Sequence, residues 1–503
     1  MKQKIIASNL DPHLSSHIVN IDAILQSIHL QNNPDIASLN TSLPSYLKLP
    51  GIKDYQKFIY KHFSHIINIP SFDYISKTDK GWLIVGDNRN LIASSIKQVI
   101  AERGIGVGMM VLHAQQMNTQ HILLELTLDG KKHDLTSKTV ALTGVREEKI
   151  LSIPLRKYRD NWKVLSQLSI VKDTKAIDKS KLVTHEGDET ICFYCSSREM
   201  NPAEVVVDIN KDNYGLARNY NLGFTFAPFG NPLSAMHFLA WDHSKNPLNM
   251  SRTPMTASDL IELTVLINKS IVDYFIGTKI TDFPTLDGLS NGWAGNSIFH
   301  QHFQFFQLEF DYPINKDYLS INPPILSFDN GQISKLSWPT PIYKITATDP
   351  ENSGLLGNDM TNIWRLLAAN KKELYKSFRE GYIPTNKDKV PIHTQNILVI
   401  GKDFGRTVFI IPRDRKKIEY PNGKKLGTIN VNGSKQATYP KKNIATLEAA
   451  GIMINDDDSV FAKMATWSPQ NITDQIAFML KAISPRSKSI SDLEVYLRGL
   501  YPN

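Results

Sequence analysis

Cysteine is almost absent from this chain: 503 residues hold only Cys192 and Cys195, both in one Cys-x-x-Cys. A disulfide framework is thereby excluded, which leaves redox chemistry or metal binding for the pair. Also missing is any run of roughly 18 apolar residues that could span a bilayer. No apolar stretch behind the opening Met1-Lys-Gln-Lys-Ile-Ile-Ala-Ser is long enough for a signal peptide. The chain is therefore expected to be cytoplasmic and away from membranes, with secretion by a route without a cleaved signal left open. Long charge runs of one sign are lacking too. The net charge is +8, with Lys and Arg scattered except in short clusters such as Arg413-Asp-Arg-Lys-Lys417 and Lys441-Lys442. That balance suits a protein handling phosphate-rich small molecules and gives no support for a nucleic-acid partner.

With 41% hydrophobic and 21% charged residues the composition is that of a folded protein of two or three domains. Residues 1–50 are polar and expected as loose helices. Trp82-Leu-Ile-Val85 reads as a strand and Leu91 to Arg103 as a helix closed by Gly104. Val107 to Leu112 and His121 to Leu128 read as further strands, with Asp129-Gly130 as a hairpin signal. Further on, Glu204-Val-Val-Val-Asp208 is strand-like, and Leu222 to Trp241 suggests two strands around a turn at Phe229-Gly-Asn-Pro232. Pro254 to Gly277 has the pattern of a long helix, with a capping box at Thr256 and Asp259 and an apolar face of Leu263, Ile267, Ile271 and Tyr274. Asp311 to Pro341, rich in Pro and Asn, reads as a connector. A second helix is expected from about Thr361 to Glu380, then strands at Asn396 to Ile400 and Thr407 to Ile411, and a helix around Ile444 to Ala450. Residues 180–310 and 340–460 look like two similarly built α+β halves.

The stretch with most chemistry in it is Asn291-Gly-Trp-Ala-Gly-Asn-Ser-Ile-Phe-His-Gln-His-Phe-Gln304. A strand here would send His300, His302 and Gln304 to one face and Gln301 and Phe303 to the other. Two imidazoles and an amide pack poorly in a core, but they suit attack on phosphorus: one neutral imidazole as nucleophile, its neighbours positioning it and the phosphoryl oxygens. Upstream, Asn291, Gly292, Gly295, Asn296 and Ser297 form a small polar turn that lets backbone N–H groups approach an anion. On spacing alone a His-x-His pair is more often structural. The Cys-x-x-Cys sits in a knuckle-like turn followed by polar loop rather than at the start of a helix, which favours metal over thiol redox chemistry.

Taken together, Glu189 to Gln304 resembles the histidine-triad superfamily, in its branch of galactose-1-phosphate uridylyltransferase, diadenosine tetraphosphate phosphorylase and GDP-galactose phosphorylase. Cys192-Phe-Tyr-Cys195 is similar to the zinc knuckle that opens the domain. The run from His237 to His243-Ser-Lys-Asn-Pro247 resembles the strand ending in a metal-ligand histidine. Gly295-Asn-Ser297 and His300-x-His302-x-Gln304 resemble the phosphate loop and catalytic strand. Gln304 stands where hydrolytic members usually carry a third His and where transferases and phosphorylases carry Gln. Val408 to Arg413 and Glu448-Ala-Ala-Gly451 are more loosely similar to the second half of the phosphorylases.

The resemblance implies an α+β fold of antiparallel sheets with flanking helices and two related halves, 146–330 and 331–503, beside an extra N-terminal α/β region, 1–145. It implies structural zinc on Cys192, Cys195, His243 and His300, a closed Cys2His2 shell with no open catalytic position. His302 would be the nucleophile, aided by Gln304, Ser297, Gly295 and Asn296. Asn291, Asn231 and Arg413 are candidates for holding ribose or phosphate, although Phe229 stands where the family usually has the nucleoside-contacting Asn. For Arg413 and Arg415 surface solvation is the competing reading. The implied activity is a nucleotidyltransferase or phosphorylase acting on a nucleoside diphosphate sugar or dinucleoside polyphosphate, with phosphate or a sugar phosphate as acceptor. Assembly is expected as a monomer with an internal pseudo-dimer, or as a homodimer. A histidine-triad nucleotide hydrolase and a non-catalytic nucleotide-binding scaffold are the rival readings.

Overall fold

The structure is a computed structural model that describes residues 53–71, 74–78, 81–85, 88–125, 150–155, 162–168, 205–223, 236–242, 255–291, 302–308, 311–368, 393–414, 427–431, 434–438, 444–455, 477, 480–481 and 483–501. In chain order, α1 (Asp54–His62) and α2 (Ser64–Ile67) precede a hairpin of β1 (Tyr74–Thr78) and β2 (Gly81–Val85), then α3 (Arg89–Arg103) and α4 (Ile105–Glu125). Next come β3 (Ile150–Leu155) and β4 (Trp162–Leu168). The first set of sheet strands follows: β5 (Val206–Ile209), a one-turn α5 (Lys211–Tyr214), β6 (Tyr220–Gly223), β7 (His237–Asp242), α6 (Ala257–Phe275), β8 (Asp287–Ser290) and β9 (His302–Phe306). The second set is β10 (Leu326–Phe328), β11 (Gly331–Lys335), β12 (Tyr343–Ala347), α7 (Pro350–Leu366), β13 (His393–Val399) and β14 (Thr407–Asp414). The chain continues through β15 (Gly427–Val431), β16 (Ser434–Thr438), α8 (Thr446–Ala449), β17 (Ile452–Asn455) and α9 (Ser487–Leu500).

Ten strands form one antiparallel sheet in the order β10-β11-β12-β14-β13-β8-β9-β7-β6-β5. Read outward from the β13–β8 junction, the two sides have one plan. Each is a three-strand meander, a helix, and a returning pair whose second strand inserts beside the meander, giving 5-6-7-9-8 on one side and 10-11-12-14-13 on the other. The two similarly built halves expected from the sequence are therefore a topological repeat, joined antiparallel through Ile397–Ser290, Leu398–Leu289 and Val399–Gly288.

Strand alternation divides the core in two. One face carries Phe303, Phe305, Phe238, Ala240, Ile397, Val399, Val408 and Ile410, and α6 and α7 cover it. The other carries Leu289, Phe306, Leu398, Phe409 and Ile411, and Ile444, Leu447, Ala450 and Ile452 close over its second half. The α6 boundary follows from chemistry visible in the sequence: Thr256 Oγ1 accepts from Asp259 N (3.1 Å) and Asp259 Oδ2 from Thr256 N (2.6 Å), a reciprocal cap. Leu263, Ile267 and Ile271 are buried on one stripe, each stabilising the helix on the sheet by roughly 1.5–3 kcal/mol. The helices α1 to α4 share this core: α4 packs on α6, and α1, α2 and α3 pack on α4.

Four expectations are corrected. Val107 to Leu112 and the described part of His121 to Leu128 are not strands but belong to the single helix α4. Apolar residues surround that helix, so neither a period of two nor of 3.6 stands out in its sequence. The connector at Asp311 to Pro341 contains β10 and β11, paired from Phe328 to Gly331 around the two-residue turn Asp329-Asn330. The second helix begins at Pro350 rather than Thr361, because Asp349 accepts from Asn352 N (2.8 Å) and Pro350 takes the first turn. Its C-terminal part after residue 368, and residues 1–50, lie outside the described residues. Among the described residues no helix is long and apolar enough to cross a membrane.

Helices α4 and α6 touch at backbone distance. A Cβ on Gly106 would lie 2.2 Å from the Ile267 carbonyl oxygen, and Gly106 N donates to Ser270 Oγ (2.8 Å). Gly106→Ala should therefore lower the melting temperature by several degrees, the effect of about 1–3 kcal/mol of overpacking. Gly499→Ala, on α9 with nothing within 4 Å, should leave it unchanged or slightly higher. Calorimetry of the two variants beside the parent checks the contrast.

Candidate active site

His302 opens β9 directly opposite Trp241, and Gln304 lies between Leu289 and Leu239. The alternation expected from sequence holds for the described part: Phe303 enters the helix-side core, while His302 and Gln304 share the opposite face. His302 is only 6% exposed and Gln304 is half-buried. The Gln304 amide nitrogen stands 3.4 Å from His302 Nε2. An amide N–H can only donate, so in this arrangement Nε2 is the acceptor nitrogen and keeps its lone pair on the side of Gln304. That is the nitrogen, and the tautomer, a nucleophilic imidazole needs.

The same face carries a row of polar groups across neighbouring strands, contributed by residues more than two hundred positions apart. Trp241 lies opposite Asn221, and Asn221 opposite Asp208. On the other side of His302 stands Asn291, just beyond β8. Its carbonyl accepts from Asn396 Nδ2 (2.8 Å), and its Oδ1 accepts from Thr446 N (3.0 Å) and Thr446 Oγ1 (2.7 Å). Asn396 Oδ1 in turn receives Arg413 Nη1 (2.5 Å), and Arg413 Nη2 donates to the Ile444 carbonyl (2.8 Å).

This changes the reading of two candidates. Arg413 is not solvated with its cluster; it is fully buried, and both guanidinium ends are committed within the fold. Asn291 is 7% exposed and acts as the junction between the two halves and α8, which fixes the point where the chain leaves β8 for residues 292–301. Sequence reasoning overlooked Asn396 and Thr446. The signal for Asn396 was there: a polar residue starting the apolar run Asn396-Ile-Leu-Val-Ile400, which in a core strand must find a partner. Nothing marks Thr446, whose role depends on a contact 155 residues away.

At the same edge, the last residue of β7 is held from the helix side. Arg218 Nη1 reaches Asp242 Oδ2 (3.1 Å) and its Nη2 reaches Asp259 Oδ2 (3.0 Å). Burial opposes the guanidinium charge, but the two carboxylates outweigh it and hold Arg218 protonated. The strand end preceding His243 is thus tied to the cap of α6. At the far end of β8, Asp287 accepts from Gly401 N (2.7 Å) with Tyr312 close by, and burial pushes its carboxyl up to about 7.

Asn231, Gly295, Asn296, Ser297, Cys192, Cys195, His243 and His300 lie outside the described residues. Among the described residues no group of three or more His, Cys, Asp or Glu is placed to hold a metal.

No family model matches the chain, and no curated protein matches it either. Among solved structures, the crystal structure of yeast Ap4A phosphorylase Apa2 in complex with Ap4A is similar at 12% identity and a TM-score of 0.39, over 67% of this chain and 90% of that one.

The half-buried Asp287 gives a pH signature. Its folded pKa is raised, so the fold favours the protonated form, and stability falls as pH rises from the unfolded value, roughly 3.9, toward about 7. In Asp287→Asn the carboxamide oxygen still accepts from Gly401 N without a charge. The melting temperature of this variant relative to the parent should climb between pH 4 and 7 and then level off. Parallel stability–pH curves would refute the assignment.

Proposed function

We propose that the chain is a nucleotidyltransferase of the phosphorylase kind, cleaving a nucleoside diphosphate sugar or a dinucleoside polyphosphate through a nucleotidyl group carried on His302. The observation that carries this reading is the His302–Gln304 pair, with Nε2 facing an amide donor at the margin of the covered sheet face. In the first step Nε2 uses its lone pair to form a P–N bond to the α-phosphorus. The bond from that phosphorus to the bridging oxygen breaks, and the remainder leaves as a sugar phosphate or a nucleoside polyphosphate. Charge accumulates on the non-bridging oxygens, and the Gln304 amide, released from Nε2 as the new bond forms, is placed to donate to one of them. Ser297 and the backbone of Gly295 and Asn296 are the further donors in this proposal. In the second step a phosphate or sugar-phosphate oxygen attacks the same phosphorus and returns the imidazole to its neutral form.

Zinc on Cys192, Cys195, His243 and His300 belongs to the same proposal, and its contribution would be to brace the strand that carries His302. The donor chemistry fits, since two thiolates and two imidazoles complete a tetrahedral shell. Cys192→Ser should then lose bound metal and melt at lower temperature together. Equal metal content and stability would remove zinc from the account.

A nucleotide hydrolase is the second reading, and Gln304 in place of a third histidine speaks against it. Incubation with nucleoside diphosphate sugars and diadenosine polyphosphates, followed by intact-protein mass spectrometry, separates the two. The expected result is a gain of one nucleoside monophosphate on His302, discharged by phosphate or a sugar phosphate faster than by water. His302→Ala should lose the adduct and turnover by on the order of 10^3-fold or more while keeping the parent's melting temperature. Turnover retained in that variant would rule out the covalent route.

A further inference from the structure

The helix-covered side of the sheet holds two buried groups that the preceding sections leave unused, Arg365 and Gln395. Arg365 closes α7 at 9% exposure. Among the described residues its guanidinium has no carboxylate beside it and makes no hydrogen bond; burial alone acts on it, pushing it down to about 10. The contrast is with Arg218, which has two carboxylates, and Arg413, which has two acceptors. A buried guanidinium with no counter-charge costs the fold several kcal/mol unless something supplies one. Gln395 is 2% exposed, and among the described residues its buried Oε1 has no donor.

Packing brings the two groups into one neighbourhood. Trp364, the residue before Arg365, stacks flat on His393 at 4.2 Å and donates from Nε1 to the Thr394 carbonyl (2.7 Å). Gln395 follows Thr394 and shares the helix-side face with His393, as Ile397 and Val399 do. On α7, Gly354, Asn358 and Arg365 fall on one helical row. That row meets α6 at its first turn, where Asn358 Nδ2 donates to Ser258 Oγ (2.7 Å) and Ser258 N to Asn358 Oδ1 (3.1 Å). Arg365 continues the row past the start of α6, at the seam between the two halves.

We propose that Arg365 and Gln395 form a binding site for a phosphate-type oxyanion, separate from the face that carries His302. The chemistry is selective. A guanidinium requires acceptor oxygens, while the Gln395 carboxamide oxygen requires a donor. Hydrogen phosphate offers both, with unprotonated oxygens for Arg365 and a P–OH for Gln395. Sulfate at neutral pH has no such proton. This site does not depend on the reaction proposed for His302.

The test is thermal unfolding of the full chain in phosphate-free buffer, with inorganic phosphate, sulfate or potassium chloride added at matched ionic strength, and with AMP in a separate arm. Phosphate should raise the parent's melting temperature saturably, sulfate less, chloride not at all. Arg365→Met should weaken the phosphate response by roughly tenfold or more. Without phosphate it should melt no lower than the parent, because a lone buried charge has been replaced by an apolar chain of similar length. Gln395→Leu should bring the phosphate response down to that of sulfate. A response lost in Arg365→Met and not matched by AMP, whose monoester is mostly without a P–OH at neutral pH, identifies the free hydrogen phosphate ion; an AMP response equal to that of phosphate would overturn the role given to the P–OH. His302→Ala must respond as the parent does. If the response disappears there and persists in Arg365→Met, phosphate binds at His302 and the proposal fails. It fails equally if all three salts act alike.

Discussion

The ten-stranded sheet depends on a short seam in which β8 and β13 meet over three residue pairs. So few pairs would hold two halves weakly if apolar contacts alone set their register. Here the register is enforced by groups that must be satisfied. Asn396 is completely buried, and its amide has partners on both sides only in this alignment, Asn291 on one and Arg413 on the other. A slip of one residue would turn Asn396 into the helix-side core of Ile397 and Val399 and leave the Arg413 guanidinium uncompensated. The polar network therefore stabilises the seam chiefly by making every other alignment expensive.

The same constraint accounts for the position of the candidate site. Asn291 ends the seam and begins the connection to His302, and it is gripped by Thr446 at the start of α8. At the other end of that connection, His302 is held by pairing with Trp241. Both anchors of residues 292–301 are thus set by distant parts of the chain, one by the second half and its C-terminal layer, the other by β7. The layer of Leu447, Ala450 and Ile452 covers the second half of this face, and His302 lies on the same face in the first half.

What the sequence disclosed and what it withheld follow one physical division. Features governed by neighbours along the chain were readable: the Thr256–Asp259 cap, the helix closed by Gly104, and the alternation that puts His302 and Gln304 together and Phe303 apart. Features governed by distant contacts were not. Helix α4 lacks periodicity because other helices and the sheet surround it, and Gly106 serves its close approach to α6, a contact with a residue 161 positions away. Arg413 looks like part of a surface cluster from its neighbours Arg415, Lys416 and Lys417, and only the strand register reveals that its side chain turns inward.

The repeat also shows how a doubled frame can present different side chains in its two halves. β14 occupies in the second half the place that β9 occupies in the first. On the corresponding face β9 presents His302 and Gln304, whereas β14 presents Phe409 and Ile411, which pack against the C-terminal layer, and then Arg413, which bonds Asn396. The face that holds the imidazole and amide in one half is apolar core and a strut in the other. Losing polar groups there removes a desolvation cost and lets Ile444, Leu447 and Ile452 close over the sheet. That closure brings Thr446 to Asn291. The second half is thus specialised to support, and the support it gives is directed at the strand end from which the chain reaches His302.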